Sequence, residues 1–184
     1  MIDKINAKGE LTQFFTNDLL ENGVGVIINE AMPEDSYVAI NIDEYYHCIA
    51  PAHTPTIADI LLVAQKLSNK KQHHIYIIEM KNIKSPHGFK VKNIYEKFNT
   101  AIEDFMKVKY ADIFLDEKYR VERFRLFFIT DAYRLKQKGL TEKQIKSFLL
   151  ETKIMMFHEM PLFHFRNFKV MIEYQLPNPL LEWY

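Results

Sequence analysis

Two short apolar runs separated by a polar stretch are the clearest feature in the pattern of hydrophobic and polar positions along this chain. The runs are Ile57–Val63 and His74–Lys81, and residues 65–73 between them are mostly polar. Apolar runs of this length on either side of a polar segment predict two strands joined as a hairpin. Because the second run is apolar on both of its faces, we expect it to be a central strand that is covered on both sides.

The rest of the pattern predicts a mixture of helices and strands. The predicted elements are a helix over Glu10–Asn22 that ends at Gly23, strands over Val24–Asn29 and Tyr37–Ile42, a helix over Asn93–Lys107, a strand over Arg123–Thr130, a helix from Thr141 to about Phe157, and a strand over Phe168–Tyr174. Thr141 and Gln144 form a capping box at the start of the last helix. The helix between His74–Lys81 and Arg123–Thr130 predicts that these two strands are parallel. No repeat or linker interrupts the order, so residues 1–184 are expected to form one α/β domain.

The charged residues of the predicted hairpin lie at one shared end. Asp59 stands near the start of the first strand, and Glu79 and Lys81 stand at the end of the second. A symmetric hairpin folded about Asn69 pairs Asp59 with Glu79, with their Cβ atoms roughly 5 Å apart. Two carboxylates this close repel each other, and a divalent cation removes the conflict. Oxygen ligands of this kind favour Mg²⁺ or Mn²⁺ over zinc.

The predicted strand also places Glu79 and Lys81 on the same face, because successive side chains of a strand alternate between faces. Lys81 is therefore expected beside the carboxylate pair. Such a cluster indicates metal-assisted attack of water on a phosphate ester, in which Lys81 would hold or deprotonate the water or offset charge in the transition state. The alternative interpretation is ordinary: Glu79 and Lys81 are surface charges at a strand end, and Asp59 lies in a turn.

The arrangement of Asp59 with the triplet Glu79-Met80-Lys81 resembles that of the PD-(D/E)xK nuclease superfamily. In that superfamily an Asp opens the second core strand, and Glu-x-Lys closes the next one. The resemblance covers roughly residues 10–130 and implies a restriction-endonuclease-like core, in which a mixed central sheet is flanked by helices in the order αβββαβ.

The resemblance implies a Mg²⁺-dependent endonuclease that hydrolyses phosphodiester bonds. Asp59, Glu79 and the main-chain carbonyl of Met80 would bind Mg²⁺, for which Mn²⁺ can substitute. Lys81 would orient or activate the attacking water. The superfamily mostly cuts DNA, so DNA is the expected substrate. One alternative is an RNA-cleaving member of the superfamily. Another is a member that has lost catalysis and serves as a nucleic-acid-binding or assembly module. A third alternative is a phosphate-processing enzyme built on an unrelated α/β sheet.

The chain departs from the pattern of the superfamily in two respects. Ala58 precedes Asp59 where some members have proline, and the stretch Glu30–Thr56 is long for a link between the first two core strands. Many members add a metal-binding Glu from the first helix. Glu10 and Glu21 are both candidates for that role here, and we expect Glu10 to fill it.

The charges of the chain are unevenly distributed although the net charge is +0. Residues 1–60 contain ten Asp and Glu but only two lysines, so the remainder is basic. An uneven distribution of this kind indicates an anionic partner for the basic part. Lys84, Lys90 and Lys92 follow the predicted site and are candidates for contacts with a nucleic-acid backbone. An exposed basic loop without a ligand is the alternative.

Composition sets the remaining expectations. Fourteen Phe, ten Tyr and 48% apolar residues predict a folded core. Cys48 is the single cysteine, which excludes an intramolecular disulfide and favours the cytoplasm. No apolar run approaches the roughly 18 residues that a membrane span needs. The apolar tail Pro177–Tyr184 is expected to dock on its own domain, or else on a second subunit, which would make a homodimer.

Overall fold

A five-stranded mixed sheet forms the centre of the computed structural model, which describes residues 1–52, 54–83, 85–135, 138–150 and 152–183. The strands are β1 (Leu20–Glu21), β2 (Val24–Gly25), β3 (Ile27–Ile28), β4 (Tyr37–Asn41), β5 (Ile60–Gln65), β6 (Gln72–Met80), β7 (Arg120–Ile129), β8 (Phe163–Phe165), β9 (Phe168–Val170), β10 (Ile172–Gln175) and β11 (Leu180–Leu181). The α-helices are α1 (Ile2–Asn6), α2 (Gly9–Thr12), α3 (Ile42–Ile49), α4 (Val91–Thr100), α5 (Ala111–Phe114), α6 (Glu142–Leu150) and α7 (Met156–Glu159). A π-helix over Ala101–Lys109 continues α4.

The central sheet has the strand order β10-β7-β6-β5-β4. Strands β4, β5 and β6 form an antiparallel meander, whereas β6, β7 and β10 run parallel to one another. The long helical segment that begins with α4 connects β6 to β7. The predicted mixed α/β fold, the central position of the second hairpin strand and the parallel pairing across the helix are therefore confirmed.

Both faces of β6 are buried, and each face belongs to a different part of the core. Ile75 and Ile77 pack in the part that contains the apolar side of α4. Tyr76 and Ile78 pack in the part that contains Trp183 of the chain's tail. Complete burial of one large apolar side chain stabilises a fold by about 1.5–3 kcal/mol, so two covered faces hold this strand firmly in place.

The predicted helix over Glu10–Asn22 is wrong, because α2 ends at Thr12. The Thr16 hydroxyl accepts a hydrogen bond from the Asp18 N–H, and the Asp18 carboxylate accepts one from the Leu20 N–H. Side chains of this type favour turns over helix interiors because they bond nearby backbone groups. The segment before this turn lies along the outer edge of β4 instead of continuing the helix.

Asn22 and Gly23 form the turn of the hairpin β1–β2 and do not end a helix. Their φ angles are 50° and 80°, and two-residue hairpin turns of this kind favour Asn-Gly because both central residues need positive φ. The predicted strand Val24–Asn29 is thereby divided into β2 and β3, which lie outside the central sheet. The first strand of the meander is β4.

The insertion between the first two strands of the meander is the helix α3. The Asn41 side chain caps this helix by accepting a hydrogen bond from the Glu44 N–H at 2.9 Å. The link therefore begins after β4, and it is shorter than the stretch Glu30–Thr56 that the sequence suggested. Asp59 is the last residue of this link before β5.

The C-terminal part agrees with the sequence-based expectations only in part. The capping box is confirmed, since the Gln144 side chain accepts from the Thr141 N–H at 2.9 Å, but α6 ends at Leu150 rather than near Phe157. The expected strand Phe168–Tyr174 is interrupted, and only β10 joins the central sheet.

Trp183 is 1% exposed, so the tail docks on its own domain as expected. Within the described parts of the chain, no helix has both the length and the apolar character of a membrane span.

We expect Gly25→Ala to destabilise the fold more than Gly23→Ala. At Gly23 an added Cβ meets nothing within 4 Å, so the cost is only that of positive φ, about 1 kcal/mol. At Gly25 the added Cβ would lie 1.9 Å from the carbonyl oxygen of Leu19, and the backbone would have to shift, at a cost of about 3 kcal/mol. Urea unfolding of both variants, with Gly9→Ala as the unstrained control, measures the two effects. Equal losses at Gly23 and Gly25 would contradict the packing described.

Candidate metal and catalytic site

The site begins with the register of the β5–β6 hairpin. Ile60 pairs with Ile78, and the same register runs to the pair of Gln65 with His73. Continued by one residue, it sets Asp59 opposite Glu79, which is the register predicted by folding the hairpin about Asn69. The predicted register is therefore confirmed.

Asp59 lies in the bend immediately before β5. The Met80 N–H donates to its Oδ2 atom at 2.6 Å, which joins the start of β5 to the end of β6. One carboxylate oxygen is thus held by the backbone, and the other, Oδ1, lies 3.5 Å from the Nζ atom of Lys97. The bend is held in place by the neighbouring strand.

Glu79 is buried to a degree that is unusual for a carboxylate, with 1% of its surface exposed. Alternation along β6 directs it to the same face as Ile77, toward α4. There the Lys97 Nζ donates to Glu79 Oε2 at 2.8 Å. The two carboxylates and one ammonium group therefore form a compact, partly buried cluster at the end of the hairpin.

Lys97 reaches the cluster because of its position on α4. It follows Ile94 by three residues and precedes Ala101 by four, and both of these residues are buried. Residues with this spacing share one face of a helix, so Lys97 belongs to the buried face. Lys97 was not among the residues predicted for the site, because lysine side chains are usually solvent-exposed. A lysine inside an apolar helical stripe was the available signal.

Burial dominates the electrostatics of the cluster. Burial and the nearby Asp59 raise the pKa of Glu79 to about 8, against the opposing effect of Lys97. Burial likewise raises the pKa of Asp59, although Lys97 and the Met80 N–H act in the other direction. Burial alone would lower the pKa of Lys97, but the two carboxylates outweigh it and leave that pKa above its ordinary value. Burial therefore favours the protonated form of Glu79, whereas Lys97 stays charged.

Lys81 lies next to the cluster without replacing Lys97 in it. Its N–H donates to the Ile129 carbonyl at 3.0 Å, which extends the pairing of β6 with β7, and its side chain is half-buried. Its positive charge also counteracts the rise in the pKa of Glu79, as the smallest of the effects named for that group. Lys81 is therefore placed beside the carboxylates, as expected from the strand.

Two small cavities meet at the cluster and give solvent access to it. The first has a volume of about 300 Å³, and its walls include Glu21, Asp59, Glu79, Lys81, Asn82 and Lys97. The second has a volume of about 350 Å³, and its walls include the carboxylates of Asp18, Glu21, Asp43 and Asp59. One cavity therefore carries both lysines, whereas the other is acidic.

The structure brings Glu21, and not the expected Glu10, to these cavities. Glu21 ends β1, and the turn that follows it is tied to the site because the Asn82 side chain donates to the Asn22 carbonyl at 2.8 Å. Glu10 is exposed on the short helix α2, and α2 ends before the chain reaches the site. Glu10 lines neither cavity, because the single long first helix on which its expected position depended does not form.

The donor set suits a hard cation that shares its coordination with substrate. Among the described residues, no group of three or more Asp, Glu, His or Cys side chains converges in a way that could hold a metal. Asp59 and Glu79 offer two carboxylates, and Mg²⁺ typically takes one or two carboxylates and fills its shell with water and phosphate oxygens. Asp59 and Glu79 therefore offer a partial set of oxygen ligands of the kind that Mg²⁺ accepts, and they do not form a closed protein cage.

Two of the three lysines expected to contact nucleic acid can be located. Lys90 and Lys92 are exposed at the start of α4, and Lys92 Nζ lies 3.8 Å from Glu96. Lys84 lies outside the described residues. Lys90 and Lys92 thus place exposed positive charge at the start of α4.

Comparison with known proteins does not identify a family for this chain. No protein-family model, curated protein sequence or solved structure matches it. The interpretation of the site accordingly depends on its own geometry and chemistry.

The buried carboxyl group of Glu79 should make stability depend on pH. The pKa of Glu79 rises from an ordinary 4.5 to about 8 on folding. Protonation of Glu79 therefore contributes its full stabilisation below pH 4.5, and this stabilisation is lost as the pH rises through 8. Glu79→Gln keeps the neutral form at every pH. The unfolding free energy of the wild type minus that of the variant should therefore fall by up to about 1.4 kcal/mol per pH unit between pH 5 and 8. Urea unfolding over that range measures it, and a difference independent of pH would contradict the burial described.

Proposed function

We propose that this protein is a Mg²⁺-dependent nuclease of restriction-endonuclease-like fold that hydrolyses phosphodiester bonds, with DNA as its substrate. The observation that carries the proposal is the pair Asp59–Glu79, which the continued register of β5 with β6 sets opposite each other where β5 begins and β6 ends. Acidic side chains directly opposite each other destabilise a sheet, and they are expected where a cation is to be bound.

The order of elements supports the same proposal. The helix α2 precedes the antiparallel meander β4–β5–β6, and α4 then leads to β7, which is parallel to β6. This is the order αβββαβ that the resemblance to the PD-(D/E)xK superfamily implies. The hairpin β1–β2, the helix α3 and the strand β10 are additions to that order.

In the proposed reaction the carboxylates of Asp59 and Glu79 and the Met80 carbonyl would hold Mg²⁺. When bound, the ion would polarise the phosphate and activate water as the nucleophile. The Met80 N–H keeps the Asp59 carboxylate in one orientation. Lys81, on the wall of the same cavity, orients the attacking water or offsets charge that develops on the phosphate.

The surroundings of the site suggest how nucleic acid would approach. The cavity lined by Lys81 and Lys97 suits a phosphate, whereas the neighbouring cavity lined by Asp18 and Asp43 repels one. Exposed Lys90 and Lys92 extend the positive side toward α4. We therefore infer that the nucleic-acid backbone enters from the α4 side.

The single cysteine, Cys48, is unpaired and suits the cytoplasm.

A non-catalytic module that binds nucleic acid or another macromolecule is the second candidate function. The contacts of Lys97 favour it, since one ammonium group already neutralises charge on both carboxylates. In this alternative the cluster is a structural ion pair and needs no metal. Metal binding separates the two candidates, because a structural cluster has no use for Mn²⁺.

The proposed chemistry predicts that Asp59→Asn and Lys81→Met are folded and nearly inactive. We expect cleavage of DNA with Mg²⁺ or Mn²⁺ by the wild type, and a loss of at least about 100-fold in each variant, because each removes a metal ligand or a positioned charge. Gel assays should compare single-stranded, duplex and branched DNA with RNA. Lys66→Met is the matched control, since it removes a lysine paired with Glu122 at a distance of 3.2 Å, away from the site. Absence of cleavage by the wild type on every substrate, or normal cleavage by Asp59→Asn, would refute the proposal.

The basic surface next to α4 gives a separate prediction for binding. Replacing Lys90 and Lys92 together by alanine should weaken binding of DNA of any sequence, and it should reduce the slope of log affinity against log salt by about 1–2, because each lysine releases roughly one counter-ion. The matched control replaces Lys70 and Lys71, which are exposed at the opposite end of the β5–β6 hairpin. Fluorescence anisotropy at several salt concentrations measures both variants. Equal slopes for the two double variants would contradict the proposed path.

A further inference from the structure

Lys97 occupies the space between the two carboxylates of the site. Its Nζ atom lies 2.8 Å from Glu79 Oε2 and 3.5 Å from Asp59 Oδ1. Its side chain is only 20% exposed, and that of Glu79 is 2% exposed. A contact this buried is screened little by solvent or salt, so it is much stronger than an ion pair on the surface.

A divalent ion bound by both carboxylates would need the same space. Mg²⁺ binds its oxygen ligands at about 2.0–2.1 Å, closer than an ammonium nitrogen approaches an oxygen. An ammonium group and a divalent cation that share two ligand oxygens would also lie within a few ångströms of each other and repel strongly. The Lys97 ammonium must therefore leave the carboxylates before a metal can bind both of them.

We propose that Lys97 is an internal counter-ion that competes with the divalent cation for Asp59 and Glu79, and so controls metal loading of the site. This inference rests on the proposed function, because it assumes that the carboxylate pair is a metal site. In this role Lys97 is a positioning residue: it neutralises the pair in the protein without metal and is displaced when the metal enters.

The cavity beside the cluster provides a place for the displaced ammonium group. Lys97 lines the cavity of about 300 Å³ that Lys81 also lines, and α4 anchors only the backbone end of its long stem. A lysine is suited to such an exchange, since it is a compact charge on a flexible chain rather than a rigid fork. In the cavity the ammonium group would meet the phosphate of a bound nucleic acid.

This exchange links metal binding to nucleic-acid binding. A phosphate in the cavity would attract Lys97 away from the carboxylates and make the metal easier to bind. The linkage is reciprocal, so the metal would strengthen binding of nucleic acid by the same factor. In the absence of nucleic acid, Lys97 keeps the affinity for metal low.

The test measures binding of Mn²⁺ by calorimetry, without nucleic acid, to the wild type and to Lys97→Met. Loss of the competing charge should tighten Mn²⁺ binding by at least about tenfold. Lys66→Met should bind Mn²⁺ as the wild type does, and Lys81→Met should show a smaller gain than Lys97→Met. Adding Glu79→Gln to Lys97→Met should abolish the gain, which assigns the bound ion to this site.

Lys97→Gln keeps a donor toward Glu79 and removes the charge, so it repeats the test if Lys97→Met does not fold. Thermal unfolding with and without Mn²⁺ gives a second readout, in which the metal should raise the melting temperature of either Lys97 variant more than that of the wild type. Equal or weaker Mn²⁺ binding by both Lys97 variants overturns the inference. If the wild type still cleaves DNA in that case, the proposed function is retained and only the role of Lys97 is rejected. If no protein of the series binds Mn²⁺ and the wild type never cleaves, both are wrong.

Discussion

The register between β5 and β6 is the constraint on which the site depends. Side chains of a strand alternate between faces, so a shift of one residue would turn Glu79 away from α4 and out of reach of Lys97. Such a shift would also turn Ile77 away from the part of the core that contains α4, and Ile78 away from the part that contains Trp183. Because both faces of β6 are fully covered, the apolar residues determine the register, and the carboxylates follow from it. Packing of the apolar side chains along β6 thus holds together two acidic groups that would otherwise separate.

Burial of the carboxylates has a cost that the surrounding groups offset only in part. The Met80 N–H and the Lys97 ammonium stabilise the charged forms, yet the pKa of Glu79 still rises well above its ordinary value. An isolated structural ion pair would gain little from this arrangement, since replacement of a buried pair by apolar side chains is often neutral or stabilising. A gain in fold stability alone therefore does not account for the cluster.

The sequence was sufficient for the parts of the fold that periodicity determines. The hairpin, its register and the parallel strand after α4 depend on uninterrupted apolar runs, whose faces leave few alternatives. The N-terminal region could not be predicted in this way, because Leu11, Phe14 and Leu19 have helical spacing although they do not form one helix. There the local turn chemistry of Thr16 and Asp18, together with pairing along the edge of β4, outweighs the periodic pattern.

The position of Lys97 shows why sequence reasoning stopped short of the complete site. Lysine side chains are usually exposed, so Lys97 was not predicted to belong to the site. The structure instead shows a side chain whose stem lies on the buried stripe of α4 while its ammonium group meets two carboxylates. A helix that packs over the end of a hairpin can deliver a charge there only from its apolar face. Charged residues within an otherwise apolar helical stripe are therefore the positions at which a buried acidic partner should be sought, and in this chain that partner is Glu79.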